Sequence, residues 1–165
     1  MKGQASGLDI LIAIMLFSSA YSVLNSIYAD MPLQRSEFDF LSVHANIATE
    51  QLLSQPGRPI DWTSANVSQL GLTITRGVIE KDKLGNFLNL SANNLNKTLE
   101  LLGASGSKFY FNITYINGTT LFINSTSYSG NAVAGSDFNS TPMAVHRAIA
   151  IYNGSRVFVT LKLGS

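Results

Sequence analysis

The 165-residue chain contains no cysteine and few charged side chains. The absence of cysteine excludes disulfide bonds, thiolate metal sites and thiol catalysis. Charged residues make up 13% of the sequence, against roughly 25% in typical soluble globular proteins. Low charge combined with 45% hydrophobic residues indicates a membrane segment, or surfaces that become buried when the protein assembles.

The net charge is only +1, and the positive charges form no basic cluster. Because nucleic acid binding needs cationic side chains to neutralise phosphates, nucleic acid is not an expected partner. The two histidines, His44 and His146, have neither metal-ligand nor catalytic-triad spacing, and no glycine-rich phosphate loop is present. The sequence therefore predicts no catalytic residue, no metal site and no cofactor, in a protein that is not an enzyme.

An uncharged run of 20 residues extends from Ile10 to Ala29, with no Pro or Gly to interrupt it. As a helix it would cross a bilayer hydrocarbon core of about 30 Å. Three interpretations are open: a cleaved secretory signal peptide, a plain signal anchor, and a retained helix of the pilin kind. The signal peptide is the weaker match, because Ile27-Tyr28-Ala29 is a poor cleavage site and Asp9 interrupts the positive n-region.

The sequence before this run favours the pilin interpretation. The first ten residues read MKGQASGLDI, a short basic leader ending in Gly3, then Gln4 and an acidic Asp9. This pattern resembles the precursors of archaeal type IV pilin-like proteins, which carry class III signal peptides. The resemblance implies cleavage between Gly3 and Gln4 by a prepilin peptidase. The apolar helix would remain attached to the mature subunit and pass to a pilus assembly platform in the membrane.

Two roles are open for Asp9, the acidic residue at the head of the apolar helix. The resemblance implies that it pairs with the amino terminus of a neighbouring subunit during assembly. The other interpretation is that Asp9 marks the membrane boundary and caps the helix, whose N-terminus is partially positive. The match to the family is looser here than at the cleavage site, because Gly7 looks like an insertion and the residue is Asp rather than Glu.

The remainder of the chain predicts an α+β fold that begins with a long helix. Residues 8–54 are expected to form this helix, the spine of a pilin. Two shorter helices are predicted within residues 80–102. The predicted apolar faces repeat at spacings of three or four: Phe38, Leu41, Ala45, Ala48 and Leu52, widened by Val43, Ile47 and Leu53; Leu84, Phe87 and Leu88; and Leu95, Leu99 and Leu102.

From Lys108 the apolar period changes to two, which predicts strands. Asn117-Gly118 and Asn153-Gly154 are signals for two tight hairpins. The Gly/Ser/Asn-rich residues 127–141 are expected to form a loop. We therefore predict a C-terminal four-stranded antiparallel sheet covered by helices, with strands over 108–116, 119–126, 145–152 and 156–163.

A turn rich in Pro and Gly separates the long helix from the rest of the chain, between Gln55 and Trp62. Its PGRPIDW sequence resembles a recurring element of archaeal pilin-like surface proteins, in which Gly-Leu and Lys-Leu pairs follow, as at Gly71-Leu72 and Lys83-Leu84 here. Trp62 could stack on a sugar. The favoured interpretation is that it fixes the turn to the core.

Eight N-x-S/T sequons occur, about three times the number expected from the Asn, Ser and Thr content, and none lies in the first 65 residues. N-linked glycans belong on exposed surfaces, so this distribution predicts a glycosylated head beyond the membrane. The alternative is a polar surface rich in turn-forming residues. The candidate glycosylation sites are Asn66, Asn89, Asn96, Asn112, Asn117, Asn124, Asn139 and Asn153.

The favoured interpretation is a structural subunit, a major or minor pilin that polymerises with copies of itself into an extracellular filament, with adhesion as its role. The expected domains are a leader over residues 1–3, a transmembrane and spine helix over 4–54, and an extracellular head over 55–165. The subunit would wait in the cytoplasmic membrane before assembly. A membrane-anchored adhesin that never polymerises is the alternative, and a secreted hydrolase is a third possibility.

Overall fold

The computed structural model describes residues 2–139 and 142–165, with the side chains of residues 2–6 and 29–35 outside the described part. The chain divides into two compact units, Met1–Glu37 and Phe38–Ser165. Helix α1 (Lys2–Ser54) supplies the first unit and continues into the second. The predicted long N-terminal apolar helix is therefore confirmed, and it ends before Pro56, as expected ahead of a proline.

Short helices and strands follow α1. The two short helices predicted within residues 80–102 are confirmed as α2 and α3. The elements are β1 (Thr73–Thr75), β2 (Val78–Ile79), α2 (Lys81–Asn93), α3 (Leu95–Leu101), β3 (Lys108–Tyr115), β4 (Phe122–Asn124), β5 (Ser129–Asn131), β6 (Val133–Gly135), β7 (Met143–Tyr152) and β8 (Ser155–Gly164).

Six of the strands form one mixed sheet in the order β1-β2-β7-β8-β3-β6. β2 runs parallel to β7, and the other neighbouring strands are antiparallel. The fold is α+β as predicted, but the four-stranded antiparallel sheet is wrong. β1, β2 and β6 extend the sheet, and the expected strand over 119–126 contributes only β4, which pairs with β5 in a separate two-stranded sheet.

The predicted loop over residues 127–141 is also corrected, because it contains β5 and β6. Its small side chains are what allow β6 to lie against β3. Ala132 and Ala134 are buried, and a Cβ at Gly135 would lie 2.1 Å from the carbonyl oxygen of Phe109. Gly and Ala are depleted in strands in general, so composition indicated a loop where close packing makes a strand.

The second predicted hairpin is confirmed, and the first is confirmed only at its turn. Asn153 and Gly154 join β7 to β8 with φ angles of 49° and 77°, as a two-residue turn of this kind requires. At the first turn, the amide of Tyr115 donates to the carbonyl of Thr119 over 2.9 Å. Beyond Thr119 the chain forms a single bridge to β3 before it departs to β4.

The core of the second unit lies between the inner face of the large sheet, the end of α1, and α2. The rings of Phe87 on α2 and Phe111 on β3 meet edge to face, with centroids 4.9 Å apart. The alternate residues of β3 and β8 that face the core are buried, as are five of the residues predicted on the apolar face of α1. Those α1 residues are Leu41, Ala45, Ala48, Leu52 and Leu53, and the strand residues are Phe109, Phe111, Ile113, Val157, Val159, Leu161 and Leu163.

The turn after α1 is fixed to this core through Trp62, which is 1% exposed. The indole Nε1 donates to the carbonyl of Gly71 at 3.0 Å. Gly57 adopts a φ of 80°, and a Cβ there would lie 2.5 Å from the same indole nitrogen. At Gly71 a Cβ would lie 2.2 Å from the carbonyl oxygen of Gln55. Trp62 thus fixes the turn, as the favoured interpretation predicted.

Candidate functional site

The first candidate site is the apolar segment of α1 from Gly7 to Tyr28. It has 22 residues with a mean hydropathy of 1.9, and none of its side chains is buried. By length and composition it suits a membrane span, and a signal sequence near an N-terminus has the same properties. The segment therefore indicates association with a membrane or a secretion signal.

The predicted processing and assembly residues lie at the start of the same helix. Asp9 is exposed, within the apolar segment. Gly3 and Gln4 lie in the helical backbone of α1, and the side chain of Gln4 lies outside the described part of the chain. Cleavage between Gly3 and Gln4 and the pairing of Asp9 with a neighbour stay predictions.

One side of the apolar segment carries small and polar residues. At 100° per residue, the side chains concerned fall within about a third of the helix circumference. Close approach of two helices in a membrane is favoured by small residues, and hydroxyl groups can bond across such a contact. The exposed residues that form this polar stripe are Ser18, Ser19, Ser22, Asn25 and Ser26.

A second apolar surface, which we call the outer stripe, lies further along α1 and consists of Phe40, Val43 and Ile47. These side chains are 58%, 56% and 53% exposed. Their helical spacing places them together, away from Leu41 and Ala45, which face the core. The sequence predicted that Val43 and Ile47 widen the core face, and this is wrong because the sheet and loops cover only one side of the helix.

Phe38 was also predicted on the core face, and it is 47% exposed. By spacing it lies on the same side as Leu41, one turn earlier, where the second unit begins. Further along, Phe40 packs on His44 with ring centroids 4.1 Å apart. Helix α1 thus carries exposed apolar side chains well beyond the 22 residues that suit a membrane.

The sequons form a second candidate site, spread over the surface of the second unit. The asparagine is exposed in six of the eight and half-buried at Asn89 and Asn112. Asn112 lies on the outer face of β3, as predicted, but its Oδ1 is buried without a hydrogen-bond partner among the described residues. The exposed six are Asn66, Asn96, Asn117, Asn124, Asn139 and Asn153.

The burial of the Ser or Thr residue distinguishes the sequons further. Thr98, which belongs to the Asn96 sequon, is fully buried and donates to the carbonyl of Asn94 at 3.1 Å. Ser91, which belongs to the Asn89 sequon, is buried and donates to the carbonyl of Phe87 at 2.9 Å. Both residues are exposed in four sequons: Asn66/Ser68, Asn117/Thr119, Asn124/Thr126 and Asn153/Ser155.

The sequon at Asn139 is described only in part, because residues 140 and 141 lie outside the described part of the chain. At Asn117 the geometry is complete. Its Oδ1 accepts hydrogen bonds from the amide and the hydroxyl of Thr119, at 3.0 and 2.7 Å. These bonds engage the oxygen of the side-chain amide and not the nitrogen, which is the atom that would carry a sugar.

Among residues 2–139 and 142–165, no three His, Cys, Asp or Glu side chains come together as metal ligands. Comparison of the chain with models of protein families, with curated proteins and with solved structures finds no match. The function is therefore inferred from the exposed surfaces of α1 and from the sequons.

Proposed function

We propose that this chain is a structural subunit of an extracellular filament of the type IV pilus kind, assembled through its N-terminal helix and serving adhesion. A prepilin peptidase would cut between Gly3 and Gln4, and an assembly platform would move the subunit from the cytoplasmic membrane into the filament. The observation that carries this proposal is the outer stripe of Phe40, Val43 and Ile47.

The outer stripe supports a filament subunit rather than a simple anchor. An anchor needs an apolar surface only across the bilayer, which residues 7–28 already provide. The outer stripe begins 12 residues after Tyr28, on the side of α1 that faces away from the core. Full burial of one such side chain is worth about 1.5–3 kcal/mol, so packing against another copy of α1 would be a substantial driving force.

The polar stripe on the apolar segment supports the same proposal. Ser18, Ser22 and Asn25 line one side of a helix that is otherwise apolar. When helices leave lipid and pack together, small residues let their backbones approach closely. A single anchor in lipid has no need for such a side. Filament assembly would use both stripes of α1 at once.

The test is the yield of surface filaments from cells that express variants of the outer stripe. Val43→Ser combined with Ile47→Ser should leave the amount of membrane-bound subunit unchanged and reduce the sheared filaments several-fold. Ile149→Ser is the matched control, because Ile149 is 65% exposed but lies on the sheet. Filaments are collected by shearing and normalised to subunit in the membrane.

The alternative function is a membrane-anchored adhesin, or a minor pilin, that does not form the body of a filament. It predicts that cells with and without the gene carry the same surface appendages under the electron microscope. It also predicts that the outer-stripe double variant behaves like the Ile149→Ser control. N-terminal sequencing gives a separate check on processing, since a mature chain that begins at Asp30 would have lost the apolar segment and could not assemble through it.

A further inference from the structure

A cleft of about 740 Å³ opens in the second unit, between the β1–β2 hairpin, strand β4 and the turn after β7. Its lining combines apolar, aromatic and amide side chains with the charged Glu80 and Lys81, a mixture typical of small-ligand sites. Two of the sequon asparagines, Asn124 and Asn153, are part of this lining. A glycan on either one would therefore start at the wall of the cleft.

Phe122 is the exposed aromatic side chain in the lining of this cleft, whereas Tyr115 and Tyr152 are half-buried. It is 62% exposed, whereas its neighbour Ile123 on β4 is fully buried. Alternate residues of a strand share a face, so Phe122 and Asn124 project from the same side of β4, about 7 Å apart along the strand. The exposed ring lies within reach of the first sugar that Asn124 would carry.

The chemistry of this contact is that of an apolar ring face against the C–H groups of a sugar. An aromatic ring carries negative charge on its face, which attracts the slightly positive C–H hydrogens of a pyranose. Covering the ring also removes exposed apolar surface from water. Because the sugar is tethered to Asn124, the contact forms within one molecule at a high effective concentration.

The same spacing, an aromatic residue two before the asparagine and Thr two after it, occurs at three sequons: Tyr110/Asn112/Thr114, Tyr115/Asn117/Thr119 and Phe122/Asn124/Thr126. Only the third offers a free ring. Tyr110 is half-buried, with the ammonium of Lys162 lying 5.2 Å from its ring centroid. Tyr115 is half-buried and packs against the core.

We propose that the first sugar of a glycan on Asn124 packs against the ring of Phe122 and occupies the cleft, which makes the glycan a structural part of the fold. This inference rests on the glycosylation that the sequons predict for the head of the proposed filament subunit. It adds a specific contact and a consequence for stability, neither of which filament assembly requires.

The test is a double-mutant cycle of Phe122→Ala and Asn124→Gln on the full chain. The chain is produced both in its glycosylating host and in a host that adds no N-glycans, then purified in a detergent without sugar headgroups. Mass spectrometry of the peptide that contains Asn124 establishes its occupancy. The melting temperature Tm is then measured for each variant in each form.

In the glycosylated form, each single substitution should lower Tm by about 2–4 °C, and the double variant should lose no more than either one. In the unglycosylated form, the two effects should be small and additive. Ile149→Ala with Asn124→Gln is the matched control, because Ile149 is 65% exposed but does not line the cleft. This control pair should be additive in both forms.

A second readout identifies the contact directly. Ring currents from Phe122 should shift the C–H protons of the first sugar upfield in the NMR spectrum, and Phe122→Ala should abolish the shift. Additive effects in the glycosylated form, or sugar protons at ordinary positions, would overturn the proposal. An unoccupied Asn124 would overturn it as well, whereas filament yield, measured separately, would be unaffected by that result.

Discussion

The side-chain ammonium of Lys83 donates a hydrogen bond to the backbone carbonyl of Ile60 over 2.6 Å, although the two residues belong to α2 and to the turn after α1. The same ammonium donates to the carbonyl of Pro56. Lys83 is 5% exposed, and this burial lowers its pKa against the opposing charges of Glu80 and Asp61. A buried cation thus joins the turn to α2, and the indole of Trp62 donates to the same Pro56 carbonyl at 3.2 Å.

We predict that Lys83→Met destabilises the fold by about 1–3 kcal/mol. The substitution keeps an unbranched apolar side chain but removes the donor to the carbonyl of Ile60, whereas the carbonyl of Pro56 keeps a hydrogen bond of 3.2 Å from Trp62 Nε1. Lys81→Met is the control, since Lys81 is exposed and lies two residues earlier on the same helix. Urea unfolding of the full chain measures both variants. Equal stabilities for the two would mean that the carbonyls find other partners.

This relationship also explains the sequence element that follows α1. Gly57, Trp62, Gly71 and Lys83 are far apart in sequence but meet around one turn. The resemblance to pilin-like proteins had linked these positions without a reason. The structure gives a packing reason for each of the four.

The strands and helices that could be predicted from the sequence are those in which large apolar side chains recur regularly over many residues. β3 and β8 each bury alternate residues over eight or ten positions, and α2 buries Leu84, Phe87 and Leu88 as expected. β1, β2 and β6 have only two or three residues, too few to show a period. They exist because neighbouring strands pair with them, which local sequence does not encode.

The candidate site divides in the same way. The apolar segment of α1 was evident from its composition, because length and hydropathy suffice to identify it. The outer stripe could not be recognised from the sequence, because an apolar Val43 and Ile47 are compatible with either side of the helix packing on the core. Sequons were found by pattern, but the burial of Ser91 and Thr98 depends on how α2 and α3 pack.

We predict that glycans occupy the four sequons whose asparagine and hydroxyl residue are both exposed, at Asn66, Asn117, Asn124 and Asn153. Asn89 should remain bare in folded protein, because Ser91 is buried. Glycopeptide mass spectrometry of protein from the native host measures each site. Asn117→Gln should remove one glycan from the intact mass, and Asn89→Gln, its control, should remove none. Full occupancy of Asn89 would mean that sugars are added before the head folds.

We predict that the pKa of Asp137 is below its ordinary value of 3.8. The main cause is the hydrogen bond of 2.7 Å that Lys162 Nζ donates to its carboxylate, and the amide of Phe138 contributes as well. Because the folded pKa is the lower one, this contribution to stability is present above pH 3.8 and is lost as pH falls through the folded value.

Lys162→Met should therefore raise the pKa of Asp137 towards the ordinary value, which an NMR titration of its carboxyl carbon can follow. Lys108→Met is the control, because Lys108 donates to the carbonyl of Ser165 instead. An unchanged pKa in Lys162→Met would assign the shift to the backbone amide. The effect on stability should be small, since Asp137's side chain is 60% exposed and water screens the pair.

The last prediction concerns Asp9, for which the two roles give different outcomes. If Asp9 pairs with the amino terminus of a neighbouring subunit, the pair lies inside a packed bundle of helices where charges are weakly screened. Asp9→Asn would then leave one charge buried without its partner, at a cost of about 3–5 kcal/mol per contact. An amide oxygen can still accept a hydrogen bond, so the loss of filaments should be partial.

Because α1 begins at Lys2, Asp9 lies inside the helix and does not cap it. If Asp9 only marks the membrane boundary, Asp9→Asn should change little, because Asn is also polar. Asp9→Ala separates the roles further, since it removes both the charge and the hydrogen-bonding group. Pairing predicts the order wild type, then Asn, then Ala in sheared filaments per membrane-bound subunit. A boundary role alone predicts that Asn equals wild type and that only Ala falls. Equal yields for all three would remove Asp9 from assembly and leave the stripes of α1 to drive it.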